Sequence, residues 1–334
     1  MKPQNLDLVS WNGFAKRHPN PVNESDTHRS RVVSRRTSLG LMAGLCVSAR
    51  ASTASDSIPE TMVVDTHLHC FAGPEDSQFP YHPRAPYRPT AKASPERLLA
   101  RMDGAGVDRA IVVHPEPYQD DHRYLDHCLD VGGGRLKGTC LFFADRPTSL
   151  NRLQNFLHRQ GDRIIATRLH AYAPKRLPPW GKPEMDRLWK IATDQGVAMQ
   201  IHLEPRYARM LDPYVRRYPK TRVIIDHMGR PMQGTIEEHD VVLRWSELPN
   251  TIMKLASIPR QDQFPHRDPA PVIRRLAELW GADRLIYGGG FNADATDDSY
   301  RQYRTRIASM LTNLSSTDQA KVFGGNATRL FGFS

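Results

Sequence analysis

Short apolar stretches alternate with longer amphipathic stretches along the chain from about residue 61 to the C-terminus. The apolar stretches are rich in Val, Ile and Leu and are short enough for buried β-strands. They predict eight strands, at 62–67, 109–114, 137–143, 164–171, 198–203, 222–227, 251–256 and 284–287. The intervening stretches have helical spacing and predict helices at 94–105, 121–131, 149–159, 184–195, 207–217, 238–248, 271–280 and 299–314.

The regular alternation of strand and helix determines the fold class that we predict. Alternating β and α units form parallel sheets with right-handed crossovers, and eight units match a closed (β/α)8 barrel in size. An open doubly wound sheet is the alternative, but no G-x-G-x-x-G or Walker-type loop follows any predicted strand. We therefore predict a single-domain α/β protein, a (β/α)8 TIM barrel over residues 61–334.

Composition and charge narrow the classes of protein further. Hydrophobic residues make up 39% and charged residues 25% of the 334, which excludes a disordered, collagen-like or coiled-coil chain. The net charge of +10 invites a nucleic-acid partner, but half of the excess lies within residues 1–51. Arg216-Arg217 and Arg274-Arg275 stand among acidic residues in predicted helices, so we expect no nucleic-acid partner.

The basic N-terminal segment has the order of features found in an export signal. Arg35-Arg36 precede a weakly apolar run at 39–47, and Ala49-Arg50-Ala51 follow as a small-residue cleavage site. We predict a twin-arginine signal and disordered head at 1–51, a linker at 52–60 and a periplasmic barrel. A disordered tail on a cytoplasmic protein is the alternative. No apolar run of about 18 residues occurs, so we expect no membrane association after export.

The ends of the predicted strands carry the candidate chemistry. In (β/α)8 barrels the active site is built at the C-terminal ends of the strands. His67 and His69 share one face of the first strand, where two imidazoles can chelate one divalent ion. Further polar residues at strand ends are His114, Arg168, His170, His202, His227, Arg230 and Lys254. Barrel interiors prefer Val, Ile and Leu, so this set predicts a site, although His114 and His170 are equally compatible with structural roles.

These motifs resemble those of the amidohydrolase-related ("amidohydrolase 2") family. The resemblance rests on segments 64–69, 226–231 and 324–333 with Arg168 and His202, and it covers essentially all of 61–334. Segments 79–81, 87–90 and 228–231 are most similar to the pyrone-dicarboxylate lactonase and sugar-lactonase branch. The resemblance implies a (β/α)8 barrel that hydrolyses C–O or C–N bonds or, in another branch, decarboxylates its substrate.

The same resemblance implies two alternatives for the cofactor. In the lactonase branch the reaction can run without a metal, and arginines hold substrate carboxylates. Other branches hold Zn²⁺ with the His-x-His pair, the strand-five histidine and a strand-eight aspartate. For this chain the implied zinc ligands are His67, His69 and His202. Both alternatives, no required cofactor or Zn²⁺, stay open at this point.

Strand eight departs from the family pattern. The family ends this strand in Gly-Ser/Thr-Asp, whereas this chain has Tyr287-Gly288-Gly289-Gly290, and glycine has no side chain that can accept a proton. Asp294 or Asp297 on the following loop could replace the missing base, or His202 or His227 could take its role. The glycines could also form a nest of backbone N–H groups for an anion.

We therefore predict a hydrolase that opens a lactone or ester of a small carboxylated acid derived from a sugar or an aromatic compound. The predicted substrate-binding residues are Arg168, Arg230, Lys254, Tyr87 and His170, and the predicted catalytic residues are His202, His227 and Asp294. The expected partner is a small anionic substrate, and the oligomeric state is open. A non-catalytic anion-binding barrel and a metal-dependent decarboxylase are the alternatives.

Overall fold

Eight parallel strands form one sheet in the computed structural model, which describes residues 62–260 and 268–334. The strands are β1 (Val64–Leu68), β2 (Arg109–Val113), β3 (Leu136–Leu141), β4 (Ile164–Ala171), β5 (Ala198–Leu203), β6 (Val223–Ile225), β7 (Thr251–Leu255) and β8 (Leu285–Tyr287). Each strand pairs in parallel with the next in sequence. The eight predicted strands and the barrel architecture are confirmed. The export signal and linker predicted at 1–60 lie outside the described residues.

Helices connect the strands and cover the outside of the sheet. They are α1 (Pro95–Ala105), α2 (Arg123–Gly132), α3 (Ser149–Gln160), α4 (Pro183–Asp194), α5 (Ala208–Arg217), α6 (Ile236–Arg244), α7 (Ala270–Trp280), α8 (Asp297–Met310), α9 (Ser316–Ala320) and α10 (Asn326–Phe331). The eight predicted helices are confirmed. Helix α6 begins earlier than predicted because Thr235 and Glu238 form a capping box that satisfies the first backbone N–H groups.

The first and last strands lie side by side and nearly close the barrel, although no backbone ladder joins β1 to β8 among the described residues. Thr66 Oγ1 in β1 donates a hydrogen bond to the carbonyl oxygen of Tyr287 in β8 at 2.6 Å. Aliphatic side chains that point inward form an inner core, and Phe331 and Phe333 of the C-terminal segment pack against it. The polar residues at the C-terminal strand ends are therefore carried by strands whose inner side chains form an apolar core. None of the helices in the described part of the chain combines the length and apolar character that a bilayer crossing requires.

Strand β6 is shorter than predicted, and its end shapes the site. We predicted a strand through residue 227, but β6 ends at Ile225. Residues 227–230 all have positive φ angles and turn the chain away from the sheet. The apolar run also ends at Ile225, and our prediction was wrong because it extended the strand through the polar residues Asp226 and His227.

Candidate active site

Asp226, which directly follows β6, is the centre of a buried ionic network at the C-terminal end of the barrel. Its Oδ1 atom lies 3.3 Å from Lys254 Nζ and 3.4 Å from His67 Nδ1. Its Oδ2 atom accepts hydrogen bonds from Gln200 Nε2 at 2.9 Å and from Arg168 Nε at 3.2 Å. Asp226 is 0% exposed, Lys254 1% and Arg168 3%, so solvent screens these charges little.

The ionisation of this network follows from its charges. Burial raises the pKa of the Asp226 carboxyl, but Lys254, His67 and Arg168 outweigh burial and hold that pKa well below its usual value. Burial lowers the pKa of Lys254, and the carboxylate of Asp226 opposes this effect. Arg168 was predicted to hold a substrate carboxylate, and the structure shows that part of its guanidinium already binds the carboxylate of Asp226.

A left-handed turn places His227 and Arg230 at the mouth of the barrel. The φ angles are 55° at His227, 60° at Met228, 66° at Gly229 and 53° at Arg230. Each non-glycine residue in this conformation costs about 1–2 kcal/mol. Hydrogen bonds from Arg230 N to His227 O and from His239 Nε2 to Met228 O, both 2.9 Å, hold the turn. Such strain is typical of functional sites, where the surrounding fold enforces it.

The histidines from several strands meet in one cluster. Ring centroids are 4.4 Å apart for His67 and His227, 5.1 Å for His202 and His227, 5.3 Å for His67 and His69, and 5.2 Å for His170 and His202. Burial lowers the pKa of each of these imidazoles. Burial therefore favours the neutral form of these imidazoles, the form that accepts a proton or binds a metal.

The nitrogen atoms of this cluster differ in their protein partners. His69 donates from Nδ1 to the carbonyl oxygen of Val113 at 2.6 Å, which leaves its Nε2 as the acceptor. Within the described residues, His67 Nε2, His227 Nδ1 and both ring nitrogens of His202 are buried and have no hydrogen-bond partner. Buried polar atoms are nearly always paired, so these nitrogens are suited to bind a substrate or a water molecule.

Tyr172, which the sequence analysis missed, stacks against this cluster. Its ring lies 5.0 Å from the ring of His202 at an interplanar angle of 15°. The guanidinium of Arg230 lies 4.6 Å from the centre of the same ring. Tyr172 directly follows β4, and its position at a strand end was the only sequence signal available for it. Tyr172 therefore packs against both the histidine and the arginine.

Glu116 is a second site residue that the sequence analysis missed. Its Oε1 atom lies 3.0 Å from His170 Nδ1 and 2.5 Å from Arg176 Nη1. Burial raises the pKa of Glu116, but the contacts with His170 and Arg176 outweigh burial and lower it to about 2. Partial burial and the neighbouring Glu116 raise the pKa of Tyr87 to about 12, although 45% of this residue stays exposed. His170 thus lies on the Glu116 side of the mouth, and Tyr87 is within electrostatic range of the same carboxylate.

A cavity of about 200 Å³ adjoins this side of the cluster. Its basic lining residues are Arg84, Arg146, Arg168 and Arg176. Glu116 and Asp145 are its acidic lining residues, so the lining carries an excess of positive charge that suits an anionic ligand. A larger cleft of about 640 Å³ opens beside α2 and α3, but it contains none of the predicted site residues.

The glycine run after β8 does bind an anion through its backbone, and the anion belongs to this chain. Gly289 N donates to Asp65 Oδ1 at 2.8 Å, and Gly290 N donates to Asp65 Oδ2 at 3.0 Å. The N–H nest considered in the sequence analysis is therefore filled by a carboxylate of β1.

The loop aspartates lie outside the cluster. The side chain of Asp294 is exposed, and Asp297 pairs with Arg101 at 2.6 Å. His114 also stands apart: its Nε2 bonds to the carbonyl oxygen of Gln119 at 2.8 Å, and its ring stacks on His122. These contacts favour the structural interpretation of His114 and leave the imidazoles as the bases nearest the arginines.

The donors for a metal ion differ from the predicted set. Among the described residues, ligand atoms of His67, Asp226 and His227 lie within 4.8 Å of one another. The trio predicted from the resemblance, which included His69 and His202, does not reach this spacing and stays a prediction.

The charge around Asp226 tests whether these residues fit a divalent metal. Lys254 Nζ lies only 3.3 Å from Asp226 Oδ1, and Arg168 occupies the other oxygen. At an effective dielectric constant of 20, the carboxylate would attract a dication about 2 Å away by roughly 17 kcal/mol, whereas two cations about 4 Å away would each repel it by roughly 8 kcal/mol. Lys254 and Arg168 together therefore cancel the attraction of Asp226 for a divalent ion. The residues present therefore do not fit a metal held through Asp226.

Comparisons with known proteins agree with this architecture. A family model described as Amidohydrolase matches residues 64–333. An L-fucono-1,5-lactonase from Burkholderia ambifaria is 30% identical over 296 residues, covering 81% of this chain and 96% of the relative. A 4-sulfomuconolactone hydrolase from Rhizobium radiobacter is 28% identical over 293 residues, covering 85% of this chain and 94% of the relative.

Solved structures share the fold at lower identity. A putative 2-pyrone-4,6-dicarboxylic acid hydrolase from Pseudomonas putida superposes with a TM-score of 0.66 at 21% identity, covering 82% of this chain and 98% of that chain. An amidohydrolase from Burkholderia multivorans, crystallised with bound zinc, also gives a TM-score of 0.66, at 14% identity, covering 82% of this chain and 100% of that chain. At these identities the likeness supports the barrel fold alone.

Proposed function

The chain belongs to the amidohydrolase family, and on this premise we propose that it is a hydrolase that opens a lactone, or a similar ester, of a small carboxylated acid. The observation that carries the proposal is a cluster of buried imidazole nitrogens that have no hydrogen-bond partner among the described residues, beside an arginine-lined cavity. Such a cluster can move a proton, and the arginines can hold a carboxylate. The lactonase and lactone hydrolase names of two relatives support the same reaction class.

Arg230 and Arg168 bind the substrate in this proposal. The Nε atom of Arg230 is buried and has no hydrogen-bond partner among the described residues, so it can donate to a carboxylate or a carbonyl oxygen. Each charge-assisted hydrogen bond contributes about 1.5–3 kcal/mol. Tyr87 and His170 flank the carboxylate, and Lys254 keeps the network around Asp226 positive as an oxyanion forms on the carbonyl oxygen.

His227 is the general base, and His202 is its neighbour in proton transfer. The left-handed turn fixes His227 between His67 and His202, and its Nδ1 has no hydrogen-bond partner in the part of the chain that the structure describes. His227 takes a proton from water as the water oxygen attacks the carbonyl carbon. The C–O bond of the ring then breaks, and the same proton passes to the departing alkoxide oxygen. We leave Asp294 out of this assignment because its side chain is exposed.

A panel of lactones tests the proposal, with proton release as the readout. We expect turnover of lactones that carry a carboxylate and much weaker turnover of neutral lactones of the same ring size. The Arg230→Gln variant should raise KM for the carboxylated lactones about 10- to 150-fold, the loss of one charge-assisted contact. Arg216→Gln is the control, because Arg216 is exposed on α5 and should not affect KM. Absence of turnover across the panel would refute the proposal.

We further propose that hydrolysis does not need a metal held by Asp226. The crowding of that carboxylate by Lys254 and Arg168 supports this. Protein dialysed against a chelator, with its zinc content measured, should keep full lactonase activity. Activity that disappears with the zinc and returns on its addition would instead support the predicted ligands His67, His69 and His202.

A further inference from the structure

The carboxylate of Asp65 is held by donors from three different elements. Its Oδ1 accepts from the backbone N–H of His67 at 2.9 Å and of Gly289 at 2.8 Å. Its Oδ2 accepts from Gly290 N at 3.0 Å and from the hydroxyl of Tyr300 in α8 at 2.8 Å. Both Asp65 and Tyr300 are 0% exposed. This one carboxylate therefore ties the end of β1 to the glycines after β8 and to α8.

The ring of Tyr300 fills the space beside Gly290. A Cβ atom built at Gly290 would lie 2.2 Å from a ring carbon of Tyr300 and 2.9 Å from the hydroxyl oxygen of Tyr287. Gly290 is not among the glycines with positive φ, so its backbone conformation would accept a side chain. The side chains of Tyr300 and, to a smaller extent, Tyr287, and not the backbone, exclude a side chain at the end of β8.

Asp65 is not available as the base that strand eight lacks. Each of its oxygens accepts two hydrogen bonds, and no surface of the carboxylate is exposed. Its hydrogen bond with the backbone N–H of His67 instead fixes the position of the end of β1, which carries His67 and His69. Loss of a hydrogen bond to Asp65 should therefore move the backbone that carries His67 and His69.

We propose that Tyr300 and Gly290 are a matched pair, and that Tyr300 is a positioning residue for the active site. The ring takes the space of a strand-eight side chain, and the hydroxyl fixes Asp65 and, through it, His67. The effect on catalysis rests on the proposed function, whereas the pairing itself does not. This arrangement assigns proton transfer to the imidazoles because no carboxylate can stand at position 290 while the ring is present.

Tyr300→Phe tests the catalytic effect, because it removes the hydroxyl and keeps the ring. We expect kcat to fall about tenfold, the loss of roughly one hydrogen bond, while KM changes less than about twofold. Tyr303→Phe is the matched control: Tyr303 lies on the same helix, and its hydroxyl accepts from Ile258 N at 3.2 Å and not from the Asp65 network. Equal kcat values for the two variants would overturn the proposal.

A double-mutant cycle in unfolding tests the pairing without any substrate. Gly290→Ala should destabilise the wild-type protein strongly and destabilise the Tyr300→Ala variant much less, because the ring at 2.2 Å is then absent and only the 2.9 Å approach to the Tyr287 hydroxyl remains. Additive effects would overturn the pairing. Histidine-selective ¹⁵N NMR is the second readout that needs no substrate: signals of His67 and His69 should shift in Tyr300→Phe and stay in place in Tyr303→Phe. A wild type that opens no lactone would refute the proposed function while these two results still decide the present inference.

Discussion

Replacing Asp226 by Asn removes the negative charge from the buried network and keeps the size of the side chain. In the wild type this carboxylate faces Lys254 Nζ at 3.3 Å and Arg168 Nη2 at 3.1 Å. After the substitution both cations stay buried without their counter-charge. The amide of Gln200 also loses its charged acceptor. The substitution therefore tests the contribution of this one buried charge, with little change in side-chain volume.

The expected cost follows from burial. Removing one partner of a buried ion pair costs about 3–5 kcal/mol, a large part of the roughly 5–15 kcal/mol that stabilises a typical protein. Asp194→Asn is the matched control, because Asp194 pairs with Lys190 at 2.8 Å while their side chains are 52% and 70% exposed. An exposed pair of this kind contributes about 0.5 kcal/mol or less.

Urea unfolding at pH 7, followed by circular dichroism, measures both changes. We expect Asp226→Asn to lose about 3–5 kcal/mol of unfolding free energy and Asp194→Asn to stay within about 0.5 kcal/mol of the wild type. Comparable slopes against urea would show that the unfolding reaction is the same. Equal stability of the two variants would refute the reasoning, because it would mean that the buried carboxylate compensates no charge.

Three further predictions concern the general base His227, the stability of the protein at low pH and the N-terminal segment. His227→Asn should lower kcat about 10²- to 10⁴-fold without unfolding the protein, since asparagine tolerates the left-handed turn; unchanged kcat would contradict the assigned base. Burial raises the pKa of Glu116, but His170 and Arg176 lower it to about 2. The ionised carboxylate therefore stabilises the protein fully above about pH 4.5, and this stabilisation is lost as the pH falls toward 2. In Glu116→Gln the thermal unfolding midpoint should depend less on pH across this window than in the wild type. Replacing Arg35 and Arg36 by Lys should keep the full-length protein out of the periplasmic fraction, and equal export would refute a twin-arginine signal.

Much of the scaffold could be predicted because its signal is local. Each strand is a short apolar run, and the polar residue that ends it stands at the barrel mouth by the topology of parallel strands. His67, His202 and Arg168 were found in this way, and the structure brings them to one end of the barrel. The end of β6 differed because the prediction continued past the apolar run into a left-handed turn, and the start of α6 differed because a capping box, and not hydrophobicity, determines it.

The rest of the site depends on contacts between distant parts of the chain. Tyr300 and Asp65 are 235 positions apart, and nothing in either local pattern indicates that a helix residue closes the strand-eight position. Glu116 and Tyr172 lie just beyond strand ends, but their roles depend on which arginine or histidine the barrel brings beside them. The partners of Arg168 were missed for the same reason, because strand order along a sequence does not define side-chain pairing across the mouth.

Hydrolysis in ¹⁸O-labelled water tests the central claim most directly. A carboxylated lactone that the protein opens should give a ring-opened acid with one ¹⁸O in the new carboxylate and no release of CO₂, as measured by mass spectrometry. The label should appear at the same rate in chelator-treated protein. Release of CO₂ from a carboxylated substrate would identify a decarboxylase. Binding of the acid without any label in it would identify an anion-binding barrel, and either result would contradict the account.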